Sequence, residues 1–177
     1  PGWRFDMVEQ VREVVNLPVI GGGVIREPEL ADKLIDQGKT DLVWVGRGML
    51  ADAYWGDKAI SDKAQEIRPC ITCNVCFHHI NNGLHLRCAV NPITGREHLL
   101  DKNIFLPDYK VLVVGGGPAG MEAALNLEKA GAEVILIEAQ KRLGGQLNIA
   151  DKPPRKGNIT KIKDYLMNFP DTKVVKD

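Results

Sequence analysis

The sequence predicts an α/β protein built on parallel strands and interrupted by an irregular segment that carries all of its cysteines. Three observations lead there. Short strands that are apolar along their whole length, such as Val111-Leu112-Val113-Val114, alternate with stretches of helical period, the pattern of a parallel sheet covered on both faces by helices. Strands run directly into glycines that precede a helix, at Gly21-Gly22-Gly23, Gly46-Arg47-Gly48 and Gly115-Gly116-Gly117. Four cysteines, Cys70, Cys73, Cys76 and Cys88, crowd into one stretch with neither helical nor strand period.

The elements follow in order. Phe5, Val8, Val11, Val14 and Val15 recur at helical spacing until Asn16-Leu17-Pro18, after which Val19-Ile20 is a short strand. Pro28 suits the first turn of the next helix, Leu30, Ala31, Leu34 and Ile35 form its buried stripe, and Gly38 suits a left-handed residue after its end. Leu42-Val43-Trp44-Val45 is the second strand, and Met49, Leu50, Ala53 and Tyr54 suggest another short helix. Beyond Pro107 the strand Val111–Val114 leads through glycines to a helix from about Pro118 to Ala130, ended by Gly131, and to a strand from Glu133 to Glu138. Three regions result: 1–60, the cysteine segment 61–106, and 107–177.

Composition narrows the function classes. The 177 residues are 44% hydrophobic and 26% charged, with 23 basic against 23 acidic side chains, so disorder is excluded and no net field attracts nucleic acid or a membrane surface. No apolar run approaches the roughly 18 residues of a membrane span. The chain starts at Pro1 without the regions of a signal peptide and stops just after Val174-Val175, so it reads as an internal piece of a longer, cytoplasmic protein. In isolation such a piece is expected to be inactive and, with open sheet edges, prone to aggregate.

Gly115-Gly116-Gly117-Pro118-Ala119-Gly120 holds a Gly-x-Gly-x-x-Gly pattern between a strand and a helix. Gly115 permits the tight turn, Gly117 lets backbone approach a pyrophosphate, and Gly120 lets helix and strand pack closely; Ala119 lies in the turn of the helix that faces the phosphates. Glu138 ends the next strand, where an acid hydrogen-bonds a ribose hydroxyl. Gly144-Gly145-Gln146 offers a second close approach of backbone to ligand. Together these residues resemble the FAD-binding half of two-dinucleotide flavoprotein reductases. That resemblance implies FAD rather than NAD at Gly115, Gly117, Ala119, Gly120, Glu138, Gly145 and Gln146, with the NAD(P)H site elsewhere.

Cys70-x2-Cys73-x2-Cys76 with Cys88 further on supplies four thiolates. A disulfide framework does not suit a chain without a secretory signal. Three close cysteines and one later one favour a four-iron, four-sulfur cluster over structural zinc, which more often takes two separate pairs. His78, His79, His85 and His98 are expected to pack or to lie on the surface. A non-catalytic alternative is a zinc-stapled nucleotide-binding module that serves interactions.

Two glycine-ended strands in the first region fit an open sheet or the last part of an eight-stranded barrel. In a barrel the loops after the last strands bind phosphate, and Gly22, Gly23, Gly46 and Arg47 would supply such a site. Pro18-Val19-Ile20-Gly21-Gly22-Gly23, Asp41-Leu42-Val43-Trp44-Val45-Gly46-Arg47, the cysteines with Cys88-Ala89-Val90-Asn91-Pro92, and the Gly115 turn resemble the family of 2,4-dienoyl-CoA reductase, 2-enoate reductase and trimethylamine dehydrogenase. The resemblance implies the C-terminal part of a TIM (β/α)8 barrel over 1–60, an iron–sulfur segment over 61–106, and the start of a Rossmann-like FAD/NAD(P)-binding domain over 107–177. It implies FMN phosphate at Gly22, Gly23, Gly46 and Arg47, a 4Fe-4S cluster on Cys70, Cys73, Cys76 and Cys88, and FAD at the Gly115 turn. The activity implied passes electrons from NAD(P)H through FAD and the cluster to FMN, for reduction of an activated carbon–carbon double bond in an enoate or enoyl thioester. An amine dehydrogenase running electrons outward is the alternative, and the two-residue gap before Cys76 is nearer that pattern. The substrate is a small molecule, the oligomeric state is open to a homo-oligomer, and no catalytic acid or base is assigned.

Overall fold

The computed structural model describes residues 2–99, 104–169 and 171–176. The chain forms two compact units, Pro1–Arg96 and Glu97–Asp177. Both are mixed α/β with parallel strands, as the apolar strand runs require.

The first unit runs α1 (Phe5–Val14), β1 (Ile20–Gly21), α2 (Pro28–Asp36), β2 (Leu42–Val43), α3 (Arg47–Ala51), α4 (Trp55–Ile60) and α5 (Val75–Asn81). Pro28 opens α2, where its missing N–H has no partner to lose. Gly38 follows α2 at φ +68°, the left-handed conformation expected of it. β1 and β2 pair in parallel, Ile20 with Leu42 and Gly21 with Val43. Asp41 and Thr40 secure that pair, because Val19 N–H donates to Asp41 Oδ2 at 2.8 Å and the buried Thr40 hydroxyl reaches Val19 O and Leu42 O. Phe5, Ile25, Ala31, Leu34, Trp55 and Ile67 form the core. The α1 stripe behaves otherwise than its spacing predicts: Phe5 is buried, but Val11 and Val14 are exposed.

The cysteine segment packs within this unit. The Asp52 carboxylate accepts from Arg68 N–H at 2.8 Å, and Arg68 Nη1 donates to Val90 O at 2.7 Å. The Thr94 hydroxyl donates to Leu50 O at 2.7 Å, so both arms of the segment are tied to α3 and the residues just after it. The segment also contains α5, a helix that the sequence reading does not expect.

The second unit runs β3 (Lys110–Val114), α6 (Pro118–Lys129), β4 (Glu133–Glu138), α7 (Leu147–Ala150), α8 (Asn158–Leu166) and β5 (Lys173–Lys176). The strands are parallel in the order β3-β4-β5. Met121, Ala124 and Leu125 of α6 are buried with Val134 and Leu136 of β4. Here one expectation needs correction. Among the described residues, helices do not cover both faces of β3: Val111 and Val113 are partly buried, while Leu112 and Val114, two residues apart and so on the other face, are exposed. Among the described residues no helix is long and apolar enough to cross a membrane.

Candidate cofactor sites

In the first unit, β1 and β2 each deliver a glycine loop to one concavity. Gly22, Gly23, Gly46 and Arg47, all singled out by the sequence, line a single cavity of about 430 Å³. Cavities of roughly 300–1,000 Å³ take small cofactors. Trp3, Arg4, Val24, Arg26, Trp44 and Phe77 complete much of the wall, and Cys70 and Cys76 reach it from the cysteine segment. The glycines have a packing cause as well. A Cβ on Gly22 would collide with the Trp44 indole, and one on Gly46 would stand 3.0 Å from Trp44 Cζ3, so the ring lies across both loops.

Two features of the wall are costly for the fold. The Arg26 Nε atom is buried without a hydrogen-bond partner, and its nearest carboxylate, Glu27, is 3.9 Å away. A buried N–H left without a partner is costly unless a ligand completes it. Val24 and Thr72 both line the cavity at positive φ, 58° and 54°, a strained state for β-branched residues that concentrates at functional sites. Arg26, Arg47 and Arg4 place three cationic side chains around the same space. Gly23 is followed three residues later by Arg26, a signal the sequence reading passes over. An FMN phosphate fits this donor set.

All four cysteines line one adjoining pocket, together with Arg47, Thr72, Asn74 and Val90. None forms a disulfide. Thr72 and Asn74, at φ +54° and +62°, flank Cys73. Burial pushes the Cys70 thiol up, against a hydrogen bond from backbone Thr72 and the charge of Arg47, which favour the thiolate. Burial likewise raises Cys88, opposed by hydrogen bonds from backbone Val90 and Asn91. Cys73 and Cys76 add like-charge repulsion at Cys88. Yet among the described residues no three His, Cys, Asp or Glu side chains converge as ligands of one ion. No histidine lines the cysteine pocket, and His79 Nδ1 is engaged at 2.7 Å by His85 O.

In the second unit the glycine turn is built from distinct constraints. Gly115 sits at φ +100°. A Cβ on Gly120 would strike the Gly115 carbonyl, so α6 lies against the turn at a distance only glycine permits. Gly117 has ordinary backbone angles and nothing within 4 Å of where a Cβ would be, so that position faces open space. Gly144 and Gly145, both at positive φ, come back onto this turn: Gly144 N–H donates to Gly116 O at 2.8 Å, and a Gly145 Cβ would lie 3.0 Å from Gly117 Cα. Ala119 and Gln146 are exposed at the same turn and at the start of α7. Glu138 accepts from Gly116 N–H at 2.6 Å and from Gln140 N–H at 2.9 Å, so its carboxylate braces the turn itself.

Comparison with known proteins completes these observations. Residues 110–167 match the family described as FAD dependent oxidoreductase. The chain is 49% identical to the NADH oxidase of Thermoanaerobacter brockii over 93% of this chain and 26% of that one. The bilirubin reductase of Mediterraneibacter gnavus is 42% identical over 90% of this chain and 25% of its own length. The structure of 6-hydroxypseudooxynicotine amine oxidase from Pseudomonas geniculata N1 aligns with 99% of this chain and 28% of that one, with a TM-score of 0.91 and 31% identity. The similarity to FAD-dependent oxidoreductases lies in residues 110–167, and the similarity to the oxidoreductase relatives extends along nearly the whole chain. The family resemblance carried by its glycine and cysteine motifs is thereby borne out. The chain spans about a quarter of the length of the curated relatives it matches.

Proposed function

We propose that this oxidoreductase segment comes from an iron–sulfur flavoprotein that reduces an activated carbon–carbon double bond, in an enoate or enoyl thioester such as a dienoyl-CoA. Its first unit is read as the C-terminal part of an FMN-binding TIM barrel joined to the cluster segment, and its second as the start of a Rossmann-like domain that binds FAD. The two flavins and the cluster would together supply an electron relay from NAD(P)H, since flavins handle one or two electrons and a cluster handles one. The observation that carries this reading is the shared wall: Arg47, Leu50, Cys70, Thr72 and Cys76 line both the arginine-rich cavity and the four-cysteine pocket.

The chain's own residues have definite tasks in this reading. Arg47, with Gly22, Gly23 and Gly46, would bind the FMN phosphate, and Arg26 would add a cationic donor. Cys70, Cys73, Cys76 and Cys88 would hold the cluster. The open position at Gly117, with Ala119 and Gly120 at the N-terminus of α6, would receive the FAD pyrophosphate, and Gly145 and Gln146 would border the nucleotide. Glu138 would keep a free lone pair on each oxygen for a ribose hydroxyl while bracing the turn. The catalytic acid and the substrate-binding groups would come from other parts of a cytoplasmic protein, which could be a homo-oligomer.

A second reading, oxidation of a small amine with electrons leaving through the cluster, is favoured by the structural match to an amine oxidase along 99% of this chain. Anaerobic purification of the intact gene product tests the common part. A brown protein containing iron and acid-labile sulfide, bleached by dithionite, is expected, whereas a colourless protein with zinc would overturn both redox readings. Stopped-flow mixing then separates the directions. Flavin reduced by NADH and reoxidised by an enoate or enoyl thioester supports the reductase, and flavin reduced by a tertiary amine supports the dehydrogenase.

A further inference from the structure

Arg47 opens α3 directly after Gly46 and lines both the cavity and the cysteine pocket. Its Nη1 donates to Asn74 Oδ1, and its guanidinium lies 5.5 Å from the centre of the Phe77 ring. Asn74 belongs to the cysteine loop, between Cys73 and Cys76. It occupies the N-cap position of α5 yet makes no side-chain capping hydrogen bond. Its side-chain oxygen is turned instead to an arginine from a distant loop. A long cationic side chain ordinarily samples many rotamers, and here a hydrogen bond and a ring face hold it from two directions. The result is a positive charge fixed on the wall of the four-cysteine pocket. When a cluster gains one electron it gains one negative charge with no bond made or broken, and a nearby fixed cation stabilises that state.

Resting on the cluster reading above, we propose that Asn74 is a positioning residue: by anchoring Arg47 against the cysteine loop, it raises the reduction potential of the iron–sulfur cluster. Asn74→Gly is a clean probe, because glycine accepts the observed φ of +62° more readily than asparagine does, so the loop keeps its path while the anchor is removed. The experiment is a dithionite titration of the intact holoprotein, followed by electron paramagnetic resonance of the reduced cluster, with iron and sulfide assayed on each sample. Asn74→Gly is expected to retain the cluster and to shift its midpoint to lower potential, leaving about fivefold less reduced relative to oxidised cluster at a fixed potential. Arg47→Gln is expected to shift it at least as far. Adding Asn74→Gly to Arg47→Gln should then change nothing further, since the asparagine acts through the arginine. An unchanged midpoint in Asn74→Gly overturns the proposal, as does an equal shift in the Arg47→Gln background. Loss of iron from Asn74→Gly also overturns it, by making Asn74 a support of the loop itself. A parent protein with no iron–sulfur signal sinks the cluster reading along with it, so the two failures are distinguishable.

Discussion

The glycine loops of the first unit and the glycine turn of the second serve the same proposed task, approach to a phosphate, but they are glycine for different physical reasons. At Gly22 and Gly46 the space a Cβ would need is taken by the Trp44 indole, an exposed side chain. At Gly120 it is taken by the carbonyl of Gly115, which is backbone, and at Gly117 it is empty. A side chain can turn away, whereas a backbone carbonyl in a strand–turn–helix junction cannot. A glycine-rich sequence therefore states only that something approaches closely. Whether that is a neighbour's side chain, the chain's own backbone or a ligand must come from the structure.

The sharpest way to break this comparison is Gly120→Val. With the Gly115 carbonyl in the way and Val113 Cγ1 3.5 Å from a Cβ, α6 has to move off β3. Overpacking against backbone places the expected loss at about 3 kcal/mol, with loss of FAD from the intact protein. Urea denaturation and flavin stoichiometry check it, and a variant that melts like the parent would refute a backbone constraint at this position.

The next effect tests whether the cysteine segment is part of the first unit's fold. Asp52 is buried, which raises its carboxyl, but hydrogen bonds from Lys58 and from the Arg68 and Tyr54 backbone, with the Lys58 charge, outweigh burial and hold it below its ordinary value. A lowered folded-state value means the carboxylate's contribution is complete above the ordinary value near pH 4 and fades as pH falls through the lower, folded one. Asp52→Asn should cost about 2 kcal/mol at pH 7, and the gap between variant and parent should narrow below about pH 4. Limited proteolysis between residues 61 and 96 should accelerate in the variant at neutral pH. An undiminished gap in acid would show that the charge is not the cause.

Much of this architecture is legible in the sequence because local rules dominate it. The strand Glu133–Glu138 has the bounds its unbroken apolar run predicts, and Gly38 and Gly131 both sit at positive φ behind their helices. The gathering of Gly22, Gly23, Gly46 and Arg47 at one cavity follows from two parallel strands with glycines at the same ends. Other features depend on contacts that no local pattern encodes. β2 ends at Val43, although Trp44 N–H still donates to Gly21 O at 2.9 Å, and the Trp44 indole lies on Gly22 and Gly46. α5 hides among the cysteines, where Val75, Cys76 and Ile80 are too few to show a period. α8 has Ile159, Ile162 and Leu166 at helical spacing, diluted by lysines. The buried Arg26 Nε and the Arg47–Asn74 hydrogen bond are tertiary events, visible only once the loops meet.

Two smaller effects sharpen the comparison from opposite sides. Gly22→Ala meets a side chain that is exposed and free to rotate, so the expected cost is about 1 kcal/mol, and Gly22→Ala with Trp44→Ala should recover most of it. Failure of the double variant to recover would mean that something other than the indole requires glycine there. Gly117→Ala should be silent in the unliganded fold, since φ is −74° and the methyl group enters open space. If that space belongs to a pyrophosphate, the cost appears only on binding, as about tenfold weaker FAD affinity with an unchanged apoprotein melting temperature. A fall in apoprotein stability would reveal a packing role that the open space does not suggest. Unchanged FAD affinity would show that the nucleotide does not pass over Gly117. The separation of stability from affinity at this one position, set against their joint loss at Gly120, distinguishes a glycine kept for a ligand from one kept for the fold.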